Sequence, residues 1–155
     1  MTDPGEVSIL AELAYLDPAG ALDWLAAAFG FATRIVVRDS AGEVVFAETG
    51  ICGRTVAIVP ARGDGPRSPR ELGGANTQSI QLRMTADVDR HCAVARAAGA
   101  LILMEPETVF FGDRMYRAAD LEGHVWTFTK DIEDVSIAEM EKASGLKIES
   151  RENHA

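Results

Sequence analysis

Gly112-Asp113-Arg114-Met115-Tyr116-Arg117-Ala118-Ala119-Asp120-Leu121-Glu122-Gly123-His124-Val125-Trp126-Thr127-Phe128 holds the reading that decides the fold. Arg114–Ala119 and His124–Thr129 read as strands, and Asp120-Leu121-Glu122-Gly123 between them carries the Asp and Gly of a hairpin turn. Working back from this hairpin, Leu101–Met104 reads as a strand and Gly99 as a helix terminator. Asp87–Ala98 reads as a helix with Val88, Cys92 and Ala95 on one stripe, and Gln78–Thr85 as a strand. The order is β-α-β-β-β.

The first half has the same order. Ser8–Leu16 alternates as a strand, and Asp17-Pro18 opens a helix that runs to Phe29, with Leu22, Leu25 and Phe29 on one stripe and Gly30 as its stop. Strands follow at Thr33–Arg38, Val44–Gly50 and Arg54–Pro60, broken by turns at Asp39-Ser40-Ala41-Gly42 and Cys52-Gly53. Gly30 and Gly99 hold equivalent places, as do the Arg54 and His124 strands, an offset of about 70 residues. Duplicated elements at a fixed offset predict duplicated architecture. The fold class is therefore α+β: one domain over about residues 1–130, made of module 1 (about 8–60), a Gly-, Pro- and Arg-rich linker or mobile flap (61–76) and module 2 (about 77–130). Residues 131–155 form an acidic tail. It holds seven acidic and three basic residues, with a helix expected near Val135–Lys142 and fraying from Glu149 to Ala155.

The length of 155 residues and a 47% hydrophobic content suit one core. A formal net charge of −9 argues against a nucleic acid or an anionic membrane surface as partner, and no apolar run is long enough to span a bilayer. Met1–Glu6 lacks the basic and apolar regions of a secretion signal, and Cys52 and Cys92 form no CxxC pair, so the cytoplasm is the expected compartment. Gly63, Gly65, Gly73 and Gly74 are followed by no GK[ST] and make no phosphate loop.

The quoted hairpin resembles the closing hairpin of the glyoxalase/bleomycin-resistance family within the vicinal-oxygen-chelate superfamily, whose pattern is G-D-R-x-Y-R-x-x-D-P-E-G-H-x-W-x-F. Leu121 stands in place of the usual proline. Tyr15–Leu25, Ala28–Phe31 and the linker run Arg67–Gly74 are also similar to that family, and the likeness covers about residues 8 to 130. The resemblance implies two tandem βαβββ modules whose mixed sheet is cupped, with helices on the outside, in a protein that forms a homodimer, while the Ala-rich, Arg-over-Lys composition resembles that of bacterial proteins.

In the family's metal-binding members, ligands stand on the first and last strands of each module. Matched to this sequence, those places are Leu10, Ala57, Ser79 and Thr127, with Glu12 and Gln81 as the neighbouring options. None of the four is a His or carboxylate ligand, so no metal and no cofactor is expected. With Thr127 facing the cup, alternation brings Gln81, Arg83, Arg114 and Tyr116 to the same face of module 2 and Glu12, Phe46 and Glu48 to that of module 1. Phe110-Phe111-Gly112 stands where the family often gates its pocket, and it is read either as that gate or as the anchor of a loop. Glu48 and Arg114 are read either as ligand contacts or as an ion pair that fixes the sheet, and Tyr116 either as a wall or as core. His124, Trp24 and Trp126 are expected on the helix side.

The leading expectation is a metal-free protein that binds a small molecule and sequesters an antibiotic or an aromatic metabolite, its acidic surface favouring a flat or cationic compound. The alternative within the superfamily is a metal-dependent lyase, isomerase or dioxygenase. A third reading is an interaction domain whose cup is filled by protein side chains.

Overall fold

The computed structural model describes residues 8–149. Its elements run β1 (Ala11–Tyr15), α1 (Pro18–Phe29), β2 (Ala32–Arg38), β3 (Val44–Ile51) and β4 (Arg54–Pro60) in the first module. The second module has β5 (Ile80–Arg83), α2 (Val88–Ala97), β6 (Leu101–Thr108), β7 (Asp113–Ala119) and β8 (Val125–Asp131), followed by α3 (Ile137–Ser144). Each module is a separate four-stranded mixed sheet, ordered β1-β4-β3-β2 and β5-β8-β7-β6, with the first strand of the module parallel to the last.

Local chemistry sets the helix ends where the sequence places them. Asp17 caps α1 by accepting the Gly20 amide at 3.0 Å, and Pro18 fills the first turn, where a missing N–H costs nothing. Gly30 closes α1 in the left-handed conformation (φ 72°), and its amide reaches Ala26 O. Strand β6 runs four residues past the expected Met104 despite Pro106, because it is an edge strand and loses no central ladder bond there. Helix α3 lies at 137–144, capped by a reciprocal Ser136–Glu139 box. The rest of the tail, residues 150–155, lies outside the described residues.

The helices lie on the sheet faces away from the cups, and within this chain those two faces share one core. Leu13, Tyr15, Leu22, Leu25 and Phe29 of module 1 are buried in one cluster with Val88, Cys92, Tyr116, Trp126 and Phe128 of module 2. Phe29 sits at the centre, with ring centroids 5.6 Å from Trp126 and 4.8 Å from Phe128. Each such side chain contributes about 1.5–3 kcal/mol on burial. Partly buried Trp24 ties α1 to the end of α2 through its indole N–H, 2.9 Å from Ala98 O. The modules thus stand back to back, and their cup faces point away from the common core.

A polar clasp closes the same joint. The two oxygens of Asp120 accept four bonds: Oδ1 from the amides of Glu122 and His124, both 3.0 Å, and Oδ2 from Tyr15 Oη at 2.6 Å and Trp126 Nε1 at 3.0 Å. Glu122 accepts the Leu16 and Asp17 amides at the entrance to α1 and the buried Ser68 hydroxyl. His124 Nε2 donates to Ala14 O at 2.8 Å, and its ring lies 4.6 Å from that of Tyr15. Burial, and then the charge of Asp120, hold the Tyr15 phenol well above its ordinary value, so it remains a donor.

The linker is docked rather than a free flap over its second half. Ser68 caps a short 3₁₀ turn at Pro69–Leu72, Arg70 donates to Leu121 O, and Asn76 donates to Gly123 O. Asp120→Ala is expected to lower unfolding stability by about 3 kcal/mol, since it strands buried donors from both modules. Urea denaturation checks this, and an unshifted midpoint contradicts it.

Candidate functional site

Strand register assigns the cup residues. Across the first sheet Glu12, Ala57, Glu48 and Ile35 form one row, and Phe46 lies beside Val37 on the same face. Across the second, Gln81, Thr127, Arg117 and Met104 form the corresponding row. Arg83, Thr129 and Met115 follow two residues along.

This register places Glu12, Phe46, Glu48, Gln81, Arg83 and Thr127 on cup faces. Glu12 and Gln81 are exposed, Phe46 and Glu48 are half-buried, and Thr127 is buried beneath its neighbours. It moves Tyr116 and Arg114 off the cup. The expected pairing took Asp120–Gly123 as a four-residue turn, but the Asp120 amide bonds to His124 O and Ala119 pairs with Val125, so the turn holds five residues. One extra residue reverses every side chain on β7.

Tyr116 therefore lies fully buried on the helix side, paired with Phe128 and stacked on it at 5.1 Å. Arg114 grips Asp89 of α2 at 2.6 and 2.8 Å rather than Glu48. Phe110 sits in the β6–β7 turn, partly exposed, edge-on to Phe111. The residues that sequence reasoning missed are Arg117, Met115 and Met104. Their signal was the spacing of Asp120 from the amides two and four residues on, the mark of an Asx-type turn.

Register also moves two of the four family ligand places. Glu12, not Leu10, stands beside Ala57, and Gln81, not Ser79, stands beside Thr127. One carboxylate, one methyl, one amide and one hydroxyl do not fit a divalent ion, which needs several deprotonated ligands converging. Among the described residues no group of three or more His, Cys, Asp or Glu is placed so that it could hold a metal ion.

Two cavities touch the cup faces. One of about 680 Å³ lies between Leu10, Glu48 and Arg54. Another, about 590 Å³, is lined by Arg83, Asp113, Asp131 and Met140 of α3. There the Asp113 carboxyl hydrogen-bonds Asp131 and raises its pKa, while Arg83 pairs with both at 3.5 and 3.2 Å.

On the helix side, His91 Nε2 lies 3.1 Å from Phe29 O, which only accepts, so Nε2 carries the proton and Nδ1 accepts from the Tyr116 hydroxyl at 2.7 Å. Burial holds the imidazole below its ordinary value and the Tyr116 phenol far above its own. Both are neutral.

The comparisons with known proteins agree with this geometry. A profile of the Glyoxalase/Bleomycin resistance protein/Dioxygenase superfamily matches residues 10–128. The chain belongs to that superfamily. An uncharacterized protein of Mycobacterium bovis is 31% identical over 142 residues, which span 89% of this chain and 92% of that one. The crystal structure of TioX from Micromonospora sp. ML1 matches with a TM-score of 0.63 at 32% identity, covering 84% of this chain and all of TioX. TnmS3, an antibiotic binding protein from Streptomyces sp. CB03234, matches with a TM-score of 0.62 at 19% identity over 81% of this chain and 97% of its own, a likeness of fold. The glyoxalase profile ends before β8 does, so α3 lies beyond the matched region.

The half-buried His91 gives a pH signature. Its folded pKa is below the unfolded 6.5, so its contribution is fully present above that pH and is lost as pH falls toward the folded value. Between about pH 7.5 and 5.5, His91→Gln should therefore lose less stability than the unaltered chain, measured by denaturation at each pH. Equal losses contradict the assignment.

Proposed function

We propose that this chain is a small-molecule-binding member of the superfamily that works without a metal, holding an antibiotic or an aromatic metabolite in a cup shared by two copies. The observation that carries the reading is the composition of the two register rows. They combine apolar wall residues with a few polar handles and lack a metal-gripping set.

The back-to-back core supports the dimer. It leaves each cup open, and Ile35, Val37, Leu101 and Leu103 stay solvent-exposed on the strands at the sheet edges. A second copy can set its module 2 against module 1 of the first, making two composite cups by a two-fold axis. The fold shared with an antibiotic binding protein supports the ligand class. Two free thiols, exposed Cys52 and buried Cys92, support a reducing compartment, the cytoplasm. No helix of the described residues is long and apolar enough to cross a membrane.

Two measurements test the reading on the purified protein. Ni, Zn, Mn or Fe(II) is expected to leave the melting temperature unchanged. The neutral aromatic dye N-phenyl-1-naphthylamine is expected to bind, and Phe46→Ala to weaken it by about 1 kcal/mol, roughly fivefold. Stoichiometric metal uptake with thermal stabilisation would make the chain a metal-dependent member instead.

A further inference from the structure

The superfamily's metal pattern needs acceptors on the end strands of the module, and the second row of this chain presents donors. Gln81 supplies an amide NH2, Thr127 a hydroxyl and Arg117 a guanidinium, and the three are successive neighbours across β5, β8 and β7. Arg117 Nε donates to Thr127 Oγ1 at 3.3 Å, so the threonine hydrogen is left to point elsewhere. Both terminal nitrogens of Arg117 lack a protein partner among the described residues.

This is unusual in a chain with 24 acidic and 15 basic residues. The other cup-facing arginine, Arg83, is held between Asp113 and Asp131, and Arg67, Arg96 and Arg114 each pair with a carboxylate. Among the described residues, the arginines without such a partner elsewhere sit on the edge strand β2, at the start of β4, in the linker or on α2, away from this row. Met104, opposite Arg117, and Met115, two residues along, add soft apolar walls able to seat an irregular organic body.

We propose that Arg117 is the anion anchor of the cup, with Thr127 and Gln81 as auxiliary donors, and that the ligand carries an acidic group such as a carboxylate, sulfonate or phosphate. A planar fork of N–H donors suits such a group bidentately, and it cannot lose its charge near neutral pH. The inference rests on the small-molecule reading above and narrows it. The acidity of the whole surface sets long-range attraction, whereas this row sets what is held at contact.

A matched pair of probes tests it on the full chain. 1-Anilinonaphthalene-8-sulfonate and N-phenyl-1-naphthylamine share one ring system and differ by the sulfonate. The unaltered protein is expected to bind the sulfonated dye about tenfold tighter than the neutral one, a preference of the size a charge-assisted fork provides. Arg117→Gln should bring the two within about twofold, through a loss of affinity greater for the sulfonated dye than for the neutral one, and Arg117→Lys should keep part of the preference.

A preference retained in Arg117→Gln overturns the anchor, as does an equal loss of both dyes. Loss of a dimer in Arg117→Gln also overturns it, because Arg117 would then pair with a carboxylate of the second copy. If neither dye binds the unaltered protein, the small-molecule reading falls as well.

Discussion

The arrangement of this molecule depends on one buried carboxylate. Asp120 collects four donors, two from its own turn, one from Trp126 in β8 and one from Tyr15 at the end of β1 in the other module. Those bonds fix the length of the turn, and the turn fixes which face of β7 looks outward. They also bring module 1 against module 2 on the helix side. Glu122 extends the contact by holding the first amides before α1 and the Ser68 hydroxyl of the linker. The most distinctive segment of the sequence therefore works as a joint, and its conspicuous acid, histidine and tryptophan side chains are spent on buried bonds to one another, to module 1 and to the linker.

Much of the fold was legible because each element carries its own punctuation. Asp17-Pro18 and Gly30 bound α1, and the two-residue turn Cys52-Gly53 gives the correct pairing of Glu48 with Ala57. The closing hairpin was legible as a hairpin but not in its parity, which rests on side-chain bonds from Asp120 that no alternation pattern reveals. That single residue put Tyr116 and Arg114 on the wrong face and hid Arg117. The linker's docking was also illegible, since it depends on partners about 50 residues away, Leu121, Glu122 and Gly123. Composition alone suggested mobility there.

The site shows how a shared backbone carries different chemistry. The places where related proteins grip an ion are present in register, on the first and last strands of each module, but they hold Glu12, Ala57, Gln81 and Thr127. A single carboxylate beside a methyl, an amide and a hydroxyl does not supply the several deprotonated ligands that such an ion needs. What remains is a pair of shallow faces, one carrying carboxylates and an aromatic ring, the other a guanidinium and two thioethers. Fold sets where the groups stand, and the groups decide what can be held.

The shared core turns the two faces away from each other, and the closed cup proposed here takes its other half from a second chain. Subunit complementation tests this directly. One variant blocks the first face with Ala57→Phe and a second blocks the other with Thr127→Phe, each alone binding no dye. Mixed and allowed to exchange subunits, they should recover dye binding, since a mixed dimer holds one cup built from two unblocked faces. If mixing restores nothing while exchange is demonstrated by mass, the cup lies within one chain and the back-to-back account is wrong.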